Sequence, residues 1–87
     1  MRHLAVDFNR VITDPARNLT NAAPLGYESL VIETQGLHEG ETIILDIPGE
    51  LWAEAHATSR DDERGRYWYG IIEHVHYYDE DGDHHTY

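Results

Sequence analysis

From Leu51 to Ser59 small or apolar residues alternate with larger polar or aromatic ones: Leu51, Ala53, Ala55 and Ala57 on one side, Trp52, Glu54, His56 and Thr58 on the other. A period of two is the signature of a strand with one face buried. The alanine side predicts a crowded place, where another element presses close against the sheet. A charged segment follows, Arg60 to Arg66, holding three acids and three arginines. It reads as a hairpin tip, and Tyr67 to Tyr78 reads as the returning, aromatic strand, with Gly70 at a bend or bulge. Pro48-Gly49-Glu50 marks a tight turn on the other side.

The remainder of the chain agrees with a strand-built domain. No window of a dozen residues carries apolar residues at helical spacing without a nearby Pro or Gly. Leu4, Val6 and Phe8 alternate with His3, Ala5, Asp7 and Asn9, and Thr13-Asp14-Pro15 reads as a turn. Arg17 to Ala22 is a short strand or ordered loop, ended by Pro24-Leu25-Gly26. Tyr27 to Thr34 predicts a buried strand through Leu30, Val31 and Ile32. Glu41 to Ile47 predicts another, with Ile43, Leu45 and Ile47 on one face and Ile44 breaking the alternation. The expectation is an all-β fold, a small antiparallel β-barrel of five to six short strands over residues 1–78, followed by a polar tail rich in Asp and His over 79–87.

Charge narrows the function. Six arginines and no lysine stand against seventeen acids, a net charge of −11. Residues 28–54 hold seven acids and no base, and residues 73–83 hold five acids and no base. Such a chain offers no broad basic face to displace counterions from nucleic acid, and anionic membranes repel it. No direct nucleic-acid or membrane partner is expected. A charge at Asp7 departs from a signal peptide, so a cytoplasmic location is expected. The absence of cysteine excludes disulfides and thiolate metal sites.

Three groups of residues are candidates for function. The first is a surface for a basic protein partner, with Trp52, Glu54, Trp68, Asp79, Glu80 and Asp81 as its contacts. Both tryptophans fall on outward positions of the expected strands, and interfaces favour Trp as an anchor. An inhibitor, or a mimic of nucleic-acid phosphate, has this character. The second is a metal site from His74 and His76, two apart on one strand, with His84 from the tail. The third rests on a family resemblance. Neither Ser29 nor Ser59 lies in a nucleophile context and no carboxylate pair is singled out by spacing, so the expectation is a non-enzymatic protein without a cofactor.

Asn18-x-Thr20-x-x-Ala23 resembles the [Asp/Asn]-x-Ser-x-x-Gly motif of PilZ domains. The segment Gly40-Glu41-x-Ile43-x-Leu45-x-Ile47 is similar to the strand that follows in that family, and Tyr69-Gly70-Ile71-Ile72 to its closing hairpin. The resemblance implies a small β-barrel and, as the alternative function, a receptor for cyclic di-GMP. Arg10, Arg17, Asn18 and Thr20 would then be its ligand-binding residues. The family's Arg-x-x-x-Arg is missing from its place before this motif, where Arg10 and Arg17 stand seven apart; Arg60-x-x-x-Arg64 has the spacing but lies on the hairpin tip. Tudor-like and SH3-like barrels fit the pattern from Gly40 to Ile72 almost as well.

Overall fold

A computed structural model describes residues 1–47, 50–78 and 84–86, the side chains of Phe8, Ile47, Tyr77, Tyr78 and 84–86 excepted. The expected turn at Pro48-Gly49 lies outside the described residues, as do Asp79, Glu80 and Asp81 of the expected acidic tail. The chain forms β1 (Arg2–Ala5), β2 (Ile12–Asp14), β3 (Leu19–Tyr27), β4 (Thr42–Ile47), β5 (Leu51–Asp62), β6 (Gly65–Tyr78) and β7 (His84–Thr86). Single 3₁₀ turns at Phe8–Arg10, Pro15–Arg17 and Ile32–Thr34 complete it. Among the described residues no helix is long and apolar enough to cross a membrane.

The domain is all-β, as the alternation implies, but the sheet is open. Its order is β1-β4-β5-β6-β3-β2, with β7 alongside β6. Among the described residues β1 pairs only with β4 and β2 only with β3, so the sheet does not close into a barrel. Nor is it wholly antiparallel: β1 runs parallel to β4, with Leu4 opposite Leu45. The spine is the hairpin of β5 and β6, 12 and 14 residues long.

One face of this sheet carries the main core, and the other a smaller cluster of Leu19, Ala22 and Tyr69. On the inner face Leu4, Ala23, Ile43, Leu45, Ala53, Ala55, Ala57 and Trp68 form the core, roofed by Leu37 and by partly buried Val6, Val11 and Leu25. The alanine row predicted the crowding: Ala53 and Ala57 are wholly buried, and Trp68 is 1% exposed. Gly70, opposite Ala57, is not a bend. A Cβ there would lie 2.9 Å from a Leu45 methyl, so glycine lets the core side chains reach the strand.

Trp68 therefore corrects an expectation. The turn at Glu63-Arg64 places Asp62 opposite Gly65 and so Ser59 opposite Trp68. A register set at the turn carries Trp68 to the alanine side, inward. The register shifts once, between Glu54 and Ala55, where β6 carries an extra residue, Glu73. Beyond that bulge the inner face passes from Ile72 to Val75, both of which pack on the core.

Tyr27 to Thr34 is not a buried strand. β3 continues through Pro24-Leu25-Gly26 to Tyr27 with a register irregularity between Pro24 and Gly26. The chain then turns and crosses the inner face. Thr34 is fully buried there, while Leu30 and Ile32 stand 79% and 74% exposed. The Trp68 indole N–H donates to Glu28 at 3.3 Å, and Arg2 donates to the carbonyl oxygens of Glu33 and Gln35 at 2.9 and 2.7 Å. These bonds tie the crossing segment to the sheet.

Glu39 fastens its far end. It accepts from the Ser59 backbone N–H at 2.8 Å, from the Thr58 hydroxyl at 3.0 Å, and from the Ser59 hydroxyl. Burial alone would raise its pKa. The hydrogen bonds from Ser59 and Thr58, with nearby Arg60, outweigh burial and hold the carboxyl below its ordinary range. A carboxylate with a lowered folded pKa contributes stability above its unfolded pKa and loses it as pH falls through the folded value. Thermal stability is thus expected to fall on acidification below about pH 4.5. Glu39→Gln is expected to cost about 1 kcal/mol at pH 7, a small figure because the group is largely exposed, and to make that acid slope shallower. An unchanged acid slope in a melting series from pH 6 to 3 would show that Glu39 is uncoupled from folding.

Candidate functional site

The outer face has two ends of different chemistry. At the end formed by β1, β4, β5 and the last part of β6, Trp52 stands directly opposite His76 in the ladder. Their rings stack at 3.9 Å with planes 9° apart. Glu54 is next on the same face, its carboxylate 3.3 Å from His76 Nε2. His56 Nδ1 lies 2.6 Å from Glu73, the bulge residue. A hollow of about 320 Å³ lies beside the stack, lined by His3, Ile44, Asp46 and Trp52. Ile44, which broke the expected alternation of β4, is the apolar floor of this face and is 8% exposed.

The other end is built by β3, the 3₁₀ turn at Pro15–Arg17 and the tip of the β5–β6 hairpin. Asp14 caps that turn, accepting from the Ala16 N–H at 3.2 Å, and Asn18 closes it with φ +56°. Asparagine is among the residues that tolerate this left-handed conformation. The turn fixes Arg17, whose Nη1 donates to the Tyr69 hydroxyl at 3.3 Å. Arg60 donates to the carbonyl oxygens of Arg17 and Asn18 at 2.8 and 3.1 Å, pinning the turn to the hairpin. Tyr67 meets Tyr27 edge to face at 4.8 Å and Tyr69 at 4.9 Å. The Tyr27 hydroxyl donates to Asp62 at 2.5 Å. Arg17, Arg60, the three tyrosines, Asp61 and Asp62 line a cleft of about 340 Å³. The hydrogen bond to Asp62, then burial, raises the Tyr27 pKa; burial, then Tyr69, raises that of Tyr67.

The expected sites divide accordingly. Trp52 and Glu54 share the outer face, and Trp68 does not, being core. Asp79, Glu80 and Asp81 lie outside the described residues. Of the metal candidates, His74 is exposed and His76 is buried against Trp52 and Glu54. His84 is opposite Tyr78 in the backbone ladder, its side chain outside the described residues. Among the described residues no three His, Asp or Glu side chains are placed to hold a metal ion. Of the four residues that the PilZ resemblance singled out, Arg17 lines the tyrosine cleft and Asn18 supports it through its carbonyl oxygen. Thr20 and Arg10 are exposed and not among the lining residues.

Sequence reasoning missed the tyrosine cleft, reading Tyr67 to Tyr78 only as an aromatic strand. Tyr67, Tyr69 and Ile71 pack on a second, smaller cluster with Leu19 and Ala22 on the outer face. The signal that could have found it is the charge distribution: five of the six arginines (10, 17, 60, 64 and 66) belong to segments that meet at this end. Comparison with protein-family models, curated proteins and solved structures finds no match.

Proposed function

We propose that this domain is a non-enzymatic binding module that docks on a basic protein surface through the acidic end of its outer face. The carrying observation is Trp52. It is half-buried against His76, borders a hollow with an apolar floor, and has Asp46 opposite it on β4 and Glu54 two residues on along β5, with no arginine among the described residues that line the hollow. An aromatic anchor held in place by a neighbouring ring, with carboxylates at its rim, matches the anatomy of a protein interface. The carboxylates would steer a basic partner and disfavour acidic ones. A protein of this kind acts by occupancy, as an inhibitor or phosphate mimic covering a basic groove.

The test is a pull-down with the full chain at about 50 mM and about 500 mM salt, where screening lengths differ by roughly a factor of three. A basic protein retained only at low salt is expected. Trp52→Ala is expected to weaken its affinity by more than about 2 kcal/mol, roughly thirtyfold. Glu54→Gln is expected to reduce mainly the salt dependence and on-rate. Failure to retain any basic protein at low salt, or equal retention by Trp52→Ala, would overturn the proposal.

A further inference from the structure

We propose that the tyrosine cleft at the opposite end is a second, independent binding site, for a small molecule that joins a planar aromatic ring to an anionic group. Arg60 to Trp52 is eight residues along β5, about 26 Å at strand rise, so the two sites do not overlap.

The ring is implied by the lining. Tyr27 and Tyr67 present aromatic surface in one hollow, backed by Tyr69, which is only 5% exposed, and tyrosine offers a large rigid contact area at little entropic cost. The volume of about 340 Å³ is at the lower end of the range for small-molecule sites. The Tyr67 hydroxyl has no hydrogen-bond partner among the described residues, so a polar group of a ligand would find a donor there.

The anion is implied by which charges are already committed. Asp62 accepts from the Tyr27 hydroxyl at 2.5 Å and from the Arg64 N–H at 2.7 Å, and Asp61 faces Arg66 at 3.6 Å. Arg60 donates to Thr58, to the carbonyl oxygens of Ser59, Arg17 and Asn18, and serves as scaffold. Arg17 differs. It spends one N–H on Tyr69, its Nε is 3.6 Å from Asp14, and its side chain is 58% exposed at the cleft. A guanidinium with remaining donors beside aromatic rings is suited to carboxylate or phosphate. In a chain of net charge −11, Arg17 and Arg60 offset Asp61 and Asp62 in this lining, so an anion meets less repulsion here than along the acidic stretches without arginine.

The experiment is an amide NMR titration of the full chain with guanosine monophosphate, indole-3-acetate, inorganic phosphate and neutral guanosine. Both aromatic anions are expected to shift the amides of Tyr27 and of 60–69. Phosphate and guanosine are each expected to bind at least about tenfold more weakly. Arg17→Ala is expected to weaken binding about tenfold or more, and Arg17→Lys, which keeps the charge, to restore part of that loss. The site is overturned if neither aromatic anion shifts those amides at millimolar concentration, if phosphate alone binds as well, or if Arg17→Ala binds as the parent does. None of these outcomes depends on whether Trp52 docks a protein.

Discussion

Trp68→Ala is expected to destabilise the domain by about 3–5 kcal/mol, the range for emptying a buried aromatic site. The indole is 1% exposed and sits on the alanine row of β5, a place made for a large ring by small neighbours. Its removal also leaves Glu28 without the indole N–H that holds the start of the crossing segment. Because Ala53, Ala55 and Ala57 belong to strands, they cannot move in to fill the cavity. A domain of this size has roughly 5–10 kcal/mol in hand, so the variant should be near its unfolding threshold at 37 °C. Urea unfolding followed by circular dichroism measures it. Trp52→Ala is the control: its ring is half-buried on the outer face, and its removal is expected to cost about 1 kcal/mol or less. Equal losses for the two tryptophans would show that the faces have been assigned wrongly.

Gly26→Ala carries the second large effect, about 2–4 kcal/mol, through two causes that add. The backbone there has φ +116°, a conformation that side-chain-bearing residues rarely adopt. An added Cβ would lie 2.5 Å from a Val31 methyl. Gly26 is where β3 ends its irregular pairing with β6 and the chain prepares to turn over the inner face. Relief would displace Val31, whose carbonyl oxygen accepts from the buried Thr34 hydroxyl at 2.6 Å. Thermal unfolding is the readout, with Gly40→Ala for comparison: φ is +79° there, but nothing lies within 4 Å of the added carbon. A loss at Gly26 no larger than at Gly40 would mean that the close approach of Val31 contributes nothing.

Strand character was legible where one period ruled a segment. The alternation of β5 and the core side of β4 both hold in the structure, since Ile43, Leu45 and the alanines are buried. Legibility failed where local composition and tertiary position disagree. Leu30, Val31 and Ile32 have strong strand propensity, yet they form a turn and a 3₁₀ segment with Leu30 and Ile32 exposed. The positive φ of Gly26 and the hydrogen bonds of Arg2 to the Glu33 and Gln35 carbonyl oxygens redirect that segment. β-Propensity describes fit to a sheet surface, and no neighbouring strand is available there. Of the candidate sites, Trp52 and Glu54 could be read from alternation alone. The tyrosine cleft could not, because Arg17, Arg60 and the three tyrosines come from distant parts of the chain.

By itself the sequence determined that this is an all-β domain with an uneven charge: a period of two, turn residues at intervals, and arginines kept apart from long acidic stretches. These are local quantities, and local sterics and solvation are enough to set them. Only the tertiary structure decided which face each aromatic residue takes and whether the sheet closes. A single extra residue at Glu73 exchanges inside for outside along β6, and among the described residues β1 and β2 each pair on one side only, which leaves the sheet open. Register and closure are relations between strands distant in sequence, so no one segment contains them.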